Sequence, residues 1–139
     1  MLLILNSLNM RKNIVCFLFC LILFNCNWYA DSSAIQLEPK AFKTETSRDS
    51  VQIVDVRTPK EFEEGHIEKA ININYYSKNF KDSIMVLNSK KPVYIYCRSG
   101  KRSAKSVSKF RAVGFDSIYE LEGGMLNWRS EGLKAAVKD

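Results

Sequence analysis

From Ile35 onward the chain alternates short apolar runs with longer stretches of mixed polarity, and the two kinds of segment carry different periods. Val51 to Asp55, Ala70 to Ile73, Val93 to Tyr96 and Ile118 to Leu121 are short, mainly apolar runs with apolar residues on both faces of an extended chain. Strands of that kind belong in a parallel sheet covered by helices on both sides. Pro39 to Thr46, Asn79 to Leu87, Ser103 to Val113 and Met125 to Glu131 carry the helical pattern between and after them, with a further short helix opening at Pro59. The fold class is therefore α/β, in one domain.

Punctuation supports these boundaries. Pro39 and Pro59 stand where a first helical turn tolerates a missing backbone donor, and Gly114 follows Val113 where a helix ends in a left-handed residue. Ser103 occupies the expected cap of its helix, and Pro92 sits just ahead of a strand.

The region before Ile35 reads differently. Ile14 to Phe24 is an unbroken run of 11 apolar residues behind Arg11 and Lys12, which is the pattern of a secretory signal and is short for a membrane span of about 20 residues. Met10-Arg11-Lys12-Asn13 makes a better charged head than residues 1–9, so the expected start is Met10, with Met1 as the alternative. Leu23-Phe24-Asn25-Cys26 resembles the lipobox of bacterial lipoproteins, which implies lipidation at Cys26, although Asn25 departs from the usual small residue. Cleavage after Ala30 and an uncleaved anchor are the alternatives. The expected organisation is a leader over 1–26, a linker over 27–34 and a domain over 35–139. The domain is expected to be exported to the periplasm or cell envelope and to meet the membrane only through its leader or lipid.

Hydrophobic residues make up 46% and charged residues 26% of the 139, enough apolar material for a core and too much for a long disordered chain. Net charge is +6 overall, and residues 27–139 carry 19 basic against 15 acidic side chains. The distribution matters more than the total. Between Lys90 and Arg111 stand eight Lys or Arg and no acid, so the positive field is local and suits a small anion. That patch lacks the interleaved aromatic platforms of nucleic-acid binders, and no nucleic-acid partner is expected. Three of the four cysteines lie in or beside the leader, which leaves Cys97 as the thiol of the folded part and excludes a disulfide framework.

Tyr94-Ile95-Tyr96-Cys97-Arg98-Ser99-Gly100-Lys101-Arg102-Ser103 reads as a buried strand entering a tight loop and then a helix. In a parallel sheet, carboxyl-end turns of this kind hold ligands. Converging backbone N–H groups and the positive end of the helix make a concave anion site. A cysteine at the start of that loop has amides and cations aimed at its sulfur, which favours the thiolate and makes it a nucleophile.

The loop from Cys97 to Arg102 resembles the six-residue active-site loop of rhodaneses, the thiosulfate-type sulfurtransferases. Asp55-Val56-Arg57-Thr58-Pro59 with Glu61-Phe62, Gly65-His66-Ile67 and Ala70-Ile71-Asn72-Ile73 agree with the same family, as do Leu121-Glu122-Gly123-Gly124 and Trp128. The resemblance implies a three-layer fold with a central parallel sheet of about five strands. It further implies an enzyme that takes sulfane sulfur from a small anionic donor such as thiosulfate, holds it as a persulfide on Cys97 and passes it to a thiophilic acceptor. Arg98, Ser99, Gly100, Lys101, Arg102 and Ser103 would bind the donor, with Asp55 and Arg57 in support. No cofactor or metal is expected, and the domain is expected to be a monomer. A non-catalytic sulfur carrier or partner-binding module is the alternative.

Phosphatases and arsenate reductases of related fold are less consistent with the loop: their Arg stands six positions after the Cys, where this chain has Ser103. His66, the sole histidine, is expected to be structural and not a partner of Cys97. Asp55 is expected to accept backbone hydrogen bonds that shape the loop, and Arg57 and Glu61, four apart, to form an ion pair. Lys105, Lys109 and Arg111 are expected to form a solvated helix face, Gly123-Gly124 a turn, and Trp128 core packing or a wall near the site.

Overall fold

The structure is a computed structural model that describes residues 33–137. The expected leader, lipidation at Cys26 and the linker up to residue 32 lie outside these residues. Five strands form one sheet: β1 (Ile35–Leu37), β2 (Gln52–Asp55), β3 (Ile71–Asn72), β4 (Val93–Tyr96) and β5 (Ile118–Leu121). Their order is β1-β5-β4-β2-β3, and every pairing is parallel. The helices are α1 (Pro39–Thr46), α2 (Pro59–Glu63), α3 (Phe80–Met85), α4 (Lys101–Ala112) and α5 (Gly124–Ser130). Among the described residues no helix is long and apolar enough to cross a membrane.

Burial explains the consecutive apolar runs. All four residues of β4 are buried, and alternate positions feed two separate cores. Val93 and Ile95 join Val54, Phe80, Ile84, Val107 and Phe110 on the face covered by α3 and α4. Tyr94 and Tyr96 join Phe42, Ile53, Leu121, Met125 and Trp128 on the face covered by α1 and α5. Phe42 of α1 meets Tyr94, Tyr96 and Trp128 edge to face, with ring centroids 5.7, 6.4 and 6.4 Å away.

Several ends shift by a residue or two, β3 for example covering only Ile71–Asn72 of the expected Ala70 to Ile73, and two elements differ more from the sequence reading. β1 was not among the expected strands: it has only three residues, two of them exposed at the sheet edge, so no buried run announces it. Ser103 does not cap α4. Gly100, at φ 88°, turns the chain into the helix, which begins at Lys101, so Ser103 lies within the first turn with its hydroxyl turned inward.

Candidate active site

β4 ends at Tyr96, and the chain closes a tight loop before α4 begins, so Cys97 stands at the carboxyl end of the central strand. The loop is held open by its neighbour. The N–H groups of Met125 and Leu126, in the first turn of α5, donate to the carbonyls of Cys97 (2.9 Å) and Arg98 (3.0 Å). Because a trans peptide points its C=O and N–H in opposite directions, drawing those carbonyls toward α5 turns the following N–H groups away from it, to the inside of the loop. Gly124 permits this approach: a Cβ there would collide with the carbonyl oxygen of Cys97 and the carbonyl carbon of Arg98. Gly123 thus closes the expected turn, and Gly124 opens α5 and lets it clasp the loop.

The Gly100 N–H donates to Cys97 Sγ at 3.2 Å, and the Ser103 hydroxyl lies 3.5 Å from the same sulfur. Backbone N–H groups of Ser99, Arg102 and Ser103 also act on it. Burial pushes the thiol up, but hydrogen bonding at the sulfur, from the Ser103 hydroxyl when its proton turns that way and from these amides, outweighs it, and the Cys97 pKa falls below its ordinary 9.0. Cys97 is itself 1% exposed, at the floor of the loop, and it packs into the core beneath α4. A donor must therefore enter the ring of amides to reach the sulfur.

The cations around the ring divide into two kinds. Arg98 and Lys101 are exposed, as is Ser99, and stand at the loop's outer edge. Arg102 is already engaged: its two terminal nitrogens each donate at 2.7 Å to the Glu61 carboxylate. Its guanidinium also lies 5.7 Å from the centre of the exposed Tyr76 ring. The expected Arg57–Glu61 pair is therefore absent. Glu61 instead turns back to accept from Thr58 N (3.0 Å) and Thr58 Oγ1 (2.9 Å) in a capping box, which aims its remaining capacity at Arg102 across the loop. Arg102, with hydrogen bonds from Thr58 beside it, pulls the Glu61 carboxyl down to about 2 against the opposing effect of burial. Below the ordinary value of 4.5 this group then protonates more readily unfolded than folded. Its stabilising contribution is complete above that value and is lost as the pH falls toward 2. The Tm advantage of the native protein over Glu61→Gln should accordingly shrink between pH 5 and 2, measured by thermal denaturation at constant ionic strength.

Arg57 pairs with Asp55 instead. Asp55 Oδ1 accepts from Arg57 N (2.9 Å) and Nε (3.0 Å), and Oδ2 from Nε (2.9 Å) and Nη2 (2.6 Å). Nη2 donates further to the Gly65 carbonyl at 2.7 Å, so the pair ties the end of β2 to the turn after α2. Asp55 thus accepts one backbone N–H, from Arg57, and its main partner is the guanidinium. His66 is structural: Nδ1 lies 2.9 Å from the Phe62 carbonyl, the ring stacks on Phe62, and its backbone bridges to Ala136. Lys109 sits 4.3 Å above the Tyr75 ring, and Arg111 binds the carbonyls of Phe115, Asp116 and Ser33, so neither is an idle solvated charge. Trp128 is core, 3% exposed, with Nε1 donating to Lys134 O at 3.0 Å.

Sequence reasoning missed Glu120. It sits on β5, 2% exposed, where Oε2 accepts from Gln36 Nε2 at 2.6 Å and Oε1 accepts from Ser103 Oγ. An acid inside the run Ile118 to Leu121 was the available signal. Among the described residues no cluster of three or more His, Cys, Asp or Glu could hold a metal ion. A cavity of about 560 Å³ lined by Lys43, Ile67, Lys69, Trp128, Leu133 and others shares no residue with the loop.

Residues 38–131 match the family model described as Rhodanese-like domain. The chain is 40% identical over 77 residues to the uncharacterized protein YqhL of Bacillus subtilis, covering 55% of this chain and 60% of that protein. It is 35% identical over 83 residues to the thiosulfate sulfurtransferase GlpE of Shewanella oneidensis, covering 60% and 80%. Among solved structures, a rhodanese-like domain protein from Staphylococcus aureus superposes with a TM-score of 0.64 at 33% identity, covering 76% of this chain and 99% of that one.

Proposed function

We propose that this chain, which belongs to the rhodanese-like domain family, is a sulfurtransferase that carries sulfane sulfur as a persulfide on Cys97. The observation that carries the reading is the set of loop N–H groups converging on Sγ, with Gly100 N at 3.2 Å. A charge that stays on sulfur throughout a reaction is stabilised by donors fixed in advance, without reorganisation when the bond changes. With thiosulfate as donor, a thiolate lone pair forms the new S–S bond to the donor's outer sulfur. That sulfur's bond to its oxidised neighbour breaks, and sulfite leaves with the electron pair. The exposed Arg98 and Lys101 suit the approach of a dianion and the departure of sulfite, whereas Arg102 acts as a tethered charge that Glu61 holds in place. A thiol, sulfite or cyanide acceptor then attacks the outer persulfide sulfur and releases the Cys97 thiolate.

The resemblance of this chain to a named thiosulfate sulfurtransferase supports the donor class. Arg11, Lys12 and the apolar run behind them support export, and Cys26 supports a lipid anchor, which would place the transfer in the periplasm or cell envelope. The test is direct. After incubation with thiosulfate, the Cys97 peptide should gain the mass of one sulfur atom, removable by cyanide. Iodoacetamide should also label Cys97 with a midpoint below the ordinary thiol value of 9.0. A protein that never gains the sulfur while its thiol labels normally is the partner-binding module instead.

A further inference from the structure

The Ser103 hydroxyl has one proton and three acceptors within reach: Glu120 Oε1, Cys97 Sγ at 3.5 Å and Gly100 O at 3.1 Å. The three are not equivalent. A buried carboxylate attracts a hydroxyl proton about twice as strongly as a neutral acceptor, and Glu120 is 2% exposed. Strand alternation is what brings the carboxylate here: Leu121 belongs to the core beneath α1 and α5, while Ile118 and Glu120, two residues apart, point to the other face, where Cys97 and Ser103 lie. In register, Glu120 stands opposite Gln36 on β1, which supplies its second hydrogen bond.

We propose that Glu120 is a positioning residue that, by holding the Ser103 proton, decides whether the hydroxyl serves the Cys97 sulfur or is withheld from it. While Glu120 holds that proton, Ser103 presents lone pairs to the sulfur, and the adjacent negative charge further favours the thiol over the thiolate. Glu120 thus keeps the unloaded sulfur more protonated and restrains it from reacting indiscriminately. The inference rests on Cys97 being the reactive group. Its readout is thiol acidity, which needs no sulfur donor, so failure of the inference and failure of the sulfur-transfer reading are separate results.

The other ionisable groups of the surrounding elements are Arg98 in the loop, Lys101, Arg102, Lys105, Lys109 and Arg111 on α4, Lys60, Glu61 and Glu63 on α2, Asp55 on β2 with Arg57 after it, Lys81 and Asp82 on α3, Arg129 on α5, Lys40, Lys43 and Glu45 on α1, and Tyr94, Tyr96 and Tyr119 on β4 and β5. β1 brings none, and all of these are unchanged by substitution at 120 or 103. In Glu120→Gln, Gln36 still donates to the side-chain oxygen, so the new amide nitrogen faces Ser103 and donates to its oxygen. The hydroxyl proton is then free for the sulfur.

The experiment is the pH dependence of iodoacetamide alkylation of Cys97 in the full domain, with thermal melts confirming that each variant is folded. Glu120→Gln should lower the midpoint by about one pH unit, close to tenfold more thiolate at a fixed pH below it. Glu120→Leu, which removes the acceptor altogether, should shift it the same way and serves if the first variant does not fold. Adding Ser103→Ala to Glu120→Gln should abolish most of the shift. An unmoved or raised midpoint in the Glu120 variants overturns the inference, as does a double variant that keeps the whole shift, because the charge would then act through space and not through Ser103.

Discussion

Cys97→Ser should reduce transfer of sulfur from thiosulfate to cyanide to background, a loss of roughly 10⁴-fold or more. The oxygen fits the same space, but a serine hydroxyl does not ionise near neutral pH, and no amide ring lowers an alcohol far enough to replace a thiolate. The loop itself should survive. The Met125 and Leu126 bonds to the Cys97 and Arg98 carbonyls involve backbone alone, and Gly100 N can donate to a hydroxyl as well as to sulfur. The variant should therefore lose only about 1 kcal/mol from exchanging a buried thiol for a hydroxyl, while mass spectrometry finds no added sulfur on any peptide. Residual activity above about one per cent would mean that the persulfide forms elsewhere.

The largest expected effect on stability belongs to Arg57, a residue that touches no substrate in this reading. Asp55 is 0% exposed, and three of its hydrogen-bond donors are groups of Arg57. Arg57→Met keeps the volume and the stem packing against Tyr96 but leaves the carboxylate buried without its guanidinium. That should cost about 3–5 kcal/mol, and a domain of this size should lose roughly 15 °C or more in Tm. The Gly65 carbonyl also loses its donor, loosening the turn between α2 and β3. Combining Asp55→Asn with Arg57→Met should recover much of the loss, since the uncompensated charge is then gone. Thermal denaturation of the three proteins decides it. A single variant within about 1 kcal/mol of the native protein would show that the pair is not a structural tie.

The contrast between these residues shows what could be read from sequence. Cys97 was legible because its signals are local: a buried strand, a six-residue loop with Gly100 at the one position needing a left-handed backbone, and a helix behind it, all within a dozen residues. Three of the expected strands, β2, β4 and β5, were legible for the same reason, since burial on both faces leaves mainly apolar runs, whereas β3 has Ile71 exposed. The partners of the charges were not. Arg57 and Glu61 have the spacing of a helical ion pair, but Arg57 lies outside α2, before its cap, so helical geometry does not bring them together. Each instead takes a partner set by the surrounding fold, Arg57 the carboxylate two residues back and Glu61 a guanidinium 41 residues away. Ser103 was misread as a cap because the residue that turns the chain is Gly100, and the hydroxyl's use depends on a strand arriving from farther along the chain.

By itself the sequence determined the fold class, the strand that carries the nucleophile and the anion-seeking character of the loop, because each depends on interactions between near neighbours in the chain. Only the tertiary structure decided that α5 clasps the loop open, that Arg102 is held by Glu61, and that a buried carboxylate on β5 competes with the sulfur for one hydroxyl proton. Those contacts join segments far apart in sequence. Which acid meets which base across the sheet is fixed by strand order and register, and strand order leaves no periodic trace in the residues themselves.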